Sequence, residues 1–365
     1  MIHIRDAINL NVRHMKYKIT VHFETSDSND LLGSYNVQYR EALAQYDSLN
    51  IYRSMLTIEA KRNKILTAES FKYSTLYRQV SKALWVYYVS TGLPNQIKSI
   101  QILKYSHSVY TNDFEIDICN IEQIVKSSSD ISKLKLIKIS SIGNKALEEN
   151  DICRLCLNSG IYLLRANETN SNQERFEKLW KSFNALYKAY AKQDTDHECH
   201  RLLRNYIIRN SNLFPLSCVY TDRISYDEIN GKLMWVKMIH NNFQSIKNAD
   251  GFADQVLRNT DIRIIKLYNA TISVREQYLR HKSRFNDVDS HLQRSLSNPI
   301  VNNSDFIATI CLRYIYFVRN KYTHGERHDI VFNFIKGDAR SEELSWLSDL
   351  LEMVCLDMMN LIVSF

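Results

Sequence analysis

The sequence predicts a mainly α chain, an all-helical C-terminal domain preceded by an α+β domain. Three observations lead there. Glycine and proline are scarce, 8 and 3 in 365 residues, which favours long helices over a turn-rich all-β fold. Alternation of apolar and polar residues is confined to about the first 140 residues. Beyond about residue 145 the apolar residues recur at spacings of three and four, as on a helix face. The length suits two domains, and the change of pattern places them at 1–142 and 143–365.

The first element is a strand over 16–23, where Tyr17, Ile19, Val21 and Phe23 alternate. After the polar break ETSDSND, the stripe Tyr35, Tyr39, Ala42, Tyr46, Leu49 and Leu56 predicts a helix over 34–66. A second helix is expected over about 70–90, stopped by Gly92 and Pro94. Strands are expected at 97–103, 114–118 and 134–139, with KSSSDISK as a loop before the last. That gives the first domain about four strands and two helices.

In the second domain, 174–192 reads as an amphipathic helix with Phe176, Leu179, Trp180, Phe183, Tyr187 and Tyr190 on one face. Residues 260–282 read as a long helix capped by Thr260 or Asp261, and 304–326 as another. The final helix carries Leu344, Leu347, Leu351, Val354, Met358, Leu361 and Phe365 in alternating threes and fours, a heptad seam that suits packing inside a bundle. Internal repeats are not evident.

Composition narrows the function. The apolar runs ALWVYYV and YIYFV fall far short of the roughly 20 residues that span a bilayer. The N-terminal stretch has no apolar signal core, so a cytoplasmic location with no membrane partner is expected. Seven cysteines without framework spacing fit a reducing compartment. Cys153 and Cys156 with His197, Cys199 and His200 offer donors for a metal, but the paired knuckles of a zinc site are missing, and neither metal nor cofactor is expected. The formal charge of +7 and the 22 tyrosines favour a polyanionic partner without requiring one.

The chemistry gathers in FVRNKYTHGE, residues 317–326. Arg319 and His324 stand five positions apart at the end of an apolar helix, before the stop signal of Gly325. Both charges suit a helix C-terminus, so capping explains them structurally. RNA cleavage explains them chemically. An imidazole that titrates near neutrality can move a proton, and a guanidinium presents a fork of donors to a phosphate. When the nucleophile is the neighbouring 2′-hydroxyl, no metal has to activate water.

Arg319-Asn320-Lys321-Tyr322-Thr323-His324 resembles the R-x4-6-H motif of HEPN domains, and Gly325-Glu326 extends it to the RNxxxHGE form of the Apea-like members. RFEKLWKSFNALYKAY, 175–190, is similar to the RFxxLWxAFNALY helix that opens many such domains, through Arg175, Phe176, Leu179, Trp180, Phe183, Asn184, Ala185, Leu186 and Tyr187. The resemblance covers about 150–365, with a long insertion at about 191–303. It implies a helical bundle that forms a homodimer with the two motifs facing each other. It also implies metal-independent endoribonuclease activity, as in toxin–antitoxin and anti-phage systems. Arg319 and His324 would be catalytic, Asn320 would help to orient the histidine or the phosphate, and Asn184 would support the motif helix. Lys321 and Tyr322 within the motif and Arg327 beyond it are expected to be weaker RNA contacts. So are Arg201 and Arg204 in RLLRNYIIR, where the stripe that includes Arg209 also reads as a solvated face. The N-terminal domain is expected to select substrate or to bind an antitoxin or regulatory partner. The alternatives are a non-catalytic HEPN-fold scaffold that binds RNA or nucleotide, and a plain helical interaction module.

Overall fold

The computed structural model describes residues 15–25, 29–40, 45–106, 109–323 and 339–365. They divide into two compact units. One runs up to Glu168 and takes in Ile362–Ser364; the other runs from Thr169 to Leu361 with Phe365.

The first unit is built on a six-stranded antiparallel sheet: β1 (Met15–Phe23), β2 (Leu31–Arg40), β3 (Gln45–Tyr52), β4 (Met55–Arg62), β5 (Ile97–Ser106) and β6 (Val109–Asp117), in the order β2-β3-β4-β1-β5-β6. The alternation read in β1 is borne out, since Tyr17, Ile19, Val21 and Phe23 are all buried. Pairing carries their rows across the sheet. Leu49, Ile58, Ile19 and Ile102 lie side by side on four strands, as do Ile51, Leu56, Val21 and Ile100. Helix α1 (Thr75–Thr91) packs on the sheet and ends as expected, on Gly92 in the left-handed region. Helix α2 (Asp151–Ala166) packs on α1, so the segment 143–168 lies in this unit.

Two expectations fail here. Residues 34–66 hold β2, β3 and β4 instead of a helix. The tyrosine stripe mimicked a helical face, yet Tyr46 is 54% exposed, while Leu49, Ile51, Leu56, Ile58 and Ala60, alternating on β3 and β4, are buried. The strand expected at 134–139 is a 3₁₀ turn, Ser132–Leu136, followed by a short helix, Ile139–Ile142. Ile131, Leu134 and Ile137 are buried at a spacing of three, the 3₁₀ period.

The described residues of the second unit form helices and no strand: α3 (Asn172–Ala191), α4 (Asp196–Arg209), α5 (Pro215–Asp222), α6 (Tyr226–Lys232), α7 (Trp235–Asn242), α8 (Ala249–Leu257), α9 (Ile262–Thr271), α10 (Glu276–His281), α11 (Phe285–Ser297), α12 (Asn303–Thr309), α13 (Tyr316–Thr323) and α14 (Ala339–Asn360). The helix expected over 260–282 is interrupted: a 3₁₀ segment, Ile272–Arg275, separates α9 from α10. Asp261 is its cap, accepting from the Arg263 N–H at 3.0 Å. The helix expected over 304–326 contains a π-helical stretch, Ile310–Ile315, between α12 and α13.

Helix α14 packs along α3 at the centre. Leu344, Leu347, Leu351, Val354 and Met358 are buried there, so the heptad spacing marks the core of the bundle. Its buried acids are all bonded. Arg175 of α3 bridges Asp349 and Glu352 at 2.9 Å each. The Tyr314 hydroxyl donates to Glu343. Asp357 accepts from the Leu216 and Ser217 N–H groups at 3.2 and 2.8 Å, capping α5 from another helix. Among the described residues, no helix is long and apolar enough to cross a membrane.

Candidate functional site

The site is assembled from α13, α3 and α4, with contributions from Arg258 and the π-helical stretch. The π-helical turn precedes Tyr316, and such turns re-aim the residues that follow them. From there Arg319 and Asn320 stand one turn beyond Tyr316. Arg319 is half-buried, and its guanidinium donates to the Asn320 side-chain oxygen at 2.9 Å. The same guanidinium lies 5.8 Å from the centre of the Trp180 ring on α3, within cation–π range. Trp180 also meets the Tyr316 ring at 6.0 Å. Lys321 is half-buried on the same helix. His324 and Arg327, and the side chain of Tyr322, lie outside the described residues.

Asn184 bonds within its own helix, accepting from the Tyr187 hydroxyl at 2.6 Å. That hydroxyl also reaches Asp196 at 3.0 Å, and the Tyr316 hydroxyl reaches the other oxygen of Asp196 at 3.4 Å. Asp196 therefore links the hydroxyls of α3 and α13. Burial works to raise its pKa, but the Tyr187 hydroxyl and the Lys188 ammonium outweigh it and hold the carboxyl below its ordinary value.

Beside this network α4 opens a cavity of about 360 Å³. Its N-cap is Thr195, and the helix then places His197, His200, Arg201 and Arg204 toward the cavity at helical spacings of three, one and three. Arg258, just past α8, and Arg313 of the π-helical stretch also line it, and Tyr316 forms part of the wall. Among the described residues, the lining thus holds four guanidiniums and no carboxylate. Arg204 is anchored from behind by the buried Asp305 at 2.6 Å, which also accepts from the Thr260 N–H at 2.6 Å.

His200 sits between two rings, its centre 4.9 Å from Tyr187 and 4.8 Å from Tyr316, both edge-on. Its buried Nε2 has no hydrogen-bond partner among the described residues. Burial pushes its pKa down to about 4, with Arg313, His197 and Lys188 adding to the effect and Asp196 opposing it. The ring is neutral at neutral pH.

The sequence-expected residues thus divide. Arg319 and Asn320 are brought together, and Arg201 and Arg204 join the cavity, whereas Arg209 is exposed and takes no part in its lining. His197 and His200, considered above as metal donors, face the cavity instead. Cys199 points away and donates to the Gln193 carbonyl at 3.4 Å. In the first unit, Cys153 and Cys156 are buried on α2, and burial pushes the Cys156 thiol up to about 12. Among the described residues, no group of three or more His, Cys, Asp or Glu side chains is placed to hold a metal. Arg258 and Arg313 were missed because they come from separate elements. The α4 face was legible, had HECH and RLLRNYIIR been read as one helix.

No protein-family model matches this chain, and no curated protein and no solved structure is detectably similar to it.

Proposed function

We propose that this chain is a metal-independent endoribonuclease of the HEPN type, acting as a toxin or defence effector. The observation that carries this reading is the approach of the two stretches that resemble the family. Trp180 of the first lies against Arg319 of the second. They are separated by more than a hundred residues of sequence, and the fold brings them together at a half-buried guanidinium already paired with Asn320.

In the proposed reaction the ribose 2′-hydroxyl loses its proton to an imidazole and attacks the adjacent phosphorus. The bond to the 5′ oxygen breaks, and that oxygen leaves with a proton. The products are a 2′,3′-cyclic phosphate and a 5′-hydroxyl. Arg319 supplies donors to the phosphate oxygens as charge accumulates on them, and Asn320 fixes the direction of its fork. His324 is the proton carrier. A single imidazole cannot easily serve both faces of the phosphate, so a homodimer that presents two motifs completes the site.

The test is cleavage of total cellular RNA by the purified protein with EDTA present. Wild type is expected to cut and to leave cyclic phosphate ends. His324→Ala and Arg319→Ala are each expected to lose at least about a hundredfold in rate, the usual size of a general acid–base or charge-stabilising contribution. Equal cutting by wild type and both variants would overturn the assignment. The cavity of four guanidiniums favours a second reading, a scaffold that binds RNA without cutting it. RNA that is bound and stays whole under these conditions decides for that reading.

A further inference from the structure

The cavity on α4 is one-sided in composition. Arg201, Arg258 and Arg313 line it with no acid among the lining residues described, and Arg204 is anchored by Asp305. Four guanidiniums thus border one concave space. Arranging such groups around one concave space costs free energy that an anion would recover. Guanidinium forks match phosphate oxygens in particular. The remaining lining is suited to a nucleotide. The half-buried Tyr316 offers an aromatic surface. A volume of about 360 Å³ suits a segment of single strand better than a duplex.

We infer that this cavity is a phosphate-binding subsite that holds the backbone of single-stranded RNA next to Arg319. Tyr316 forms its wall one helical turn before Arg319, and Trp180 touches both side chains. A strand bound in the cavity is thereby led to the Arg319–Asn320 pair. The inference rests on the ribonuclease reading for its direction toward Arg319, but binding itself can be measured without cleavage.

The experiment uses the full chain carrying His324→Ala, so that substrate stays intact, and a fluorescent single-stranded RNA of about 12 nucleotides. Adding Arg258→Ala and Arg313→Ala is expected to weaken binding about tenfold for each arginine. The slope of log affinity against log salt is expected to shrink by about 0.7 for each phosphate that an arginine no longer neutralises. Both arginines are exposed, so the fold is expected to survive, and Arg258→Lys with Arg313→Lys, which keeps the charge, is expected to restore part of the affinity. Unchanged affinity and slope in the alanine variant would overturn the subsite. Saturable binding of AMP or inorganic phosphate that depends on these arginines, without RNA binding, would overturn RNA as the occupant. If the protein with native His324, Arg258 and Arg313 leaves RNA whole while arginine-dependent binding persists, the cleavage reading falls and the subsite stands.

Discussion

Arg319 is held by a neighbour in sequence and a neighbour in space, Asn320 and Trp180, and only the first could be read from the chain. The same limit applies throughout the site. Arg201 and Arg204 could be found from one helical stripe, whereas Arg258 and Arg313 converge on them only through the packing of α8 and the π-helical stretch. His200 is where sequence reading was least informative, because a histidine takes its character from its surroundings. Here the ring is wedged between Tyr187 and Tyr316, with Asp196, Lys188, His197 and Arg313 as its charged surroundings, and its pKa falls from 6.5 to about 4. The folded ring thus resists a proton that the unfolded chain accepts. Stability from this site is complete above pH 6.5 and is lost as pH falls from there through about 4. The loss by about pH 5 is at most roughly 2 kcal/mol, because the ring is only partly enclosed. Urea unfolding at about pH 7.5 and about pH 5 checks this in wild type and in His200→Gln, whose side chain does not titrate. The variant is expected to lose less stability across that interval; parallel losses would remove His200 from the explanation.

Helices α1 and α2 touch at Gly160, and the packing there sets two ordinary effects against each other. Replacing glycine by alanine inside a helix normally gains about 1 kcal/mol. A Cβ at position 160, however, would overlap the indole nitrogen of Trp85, which is buried and without a hydrogen-bond partner among the described residues. Overpacking of this kind costs typically about 1–3 kcal/mol, and Trp85 at 2% exposure has little room to retreat. Gly160→Ala is therefore expected to destabilise the first unit by up to about 2 kcal/mol net, measured by denaturant unfolding followed through tryptophan fluorescence. Stabilisation would show that α1 and α2 adjust freely. Legibility in the sequence followed periodicity. Strand β1 and helix α1 were clear because one period and one stop signal agreed in each. The strands β2 to β4 were not, because tyrosines at helical spacing outweighed the shorter alternation of Leu49 and Ile51. The sheet decides between them: Leu49 pairs with Ile58, and Ile58 with Ile19, a partner that no local window around Ile58 contains.

The chain as a whole divides its chemistry unevenly. The Arg319–Asn320 pair and the guanidinium cavity both belong to the second unit. The first unit nevertheless depends on residues that follow the second in sequence. Ile362–Ser364 forms a 3₁₀ turn that packs on α2 and on the short helix Ile139–Ile142, and Ile362 is fully buried. A nearly complete domain can tolerate loss of an edge, but removing a buried isoleucine leaves a cavity whose cost is about 2–4 kcal/mol. That cost falls on the unit whose core is opened. Ile362→Ala is therefore expected to raise amide exchange in β1, β5 and α2 more than in α3 and α14, as measured by hydrogen-exchange mass spectrometry. A loss of protection confined to α3 and α14 would mean that Ile362 supports the helical unit instead. Because Ile362 stands only two residues past α14, which carries the buried acids Glu343, Glu352 and Asp357, the same experiment reads a second quantity. If protection in α14 falls together with that in the sheet, the two units unfold as one cooperative structure, and a ligand of the first unit has an energetic route to the ribonuclease site proposed for the second.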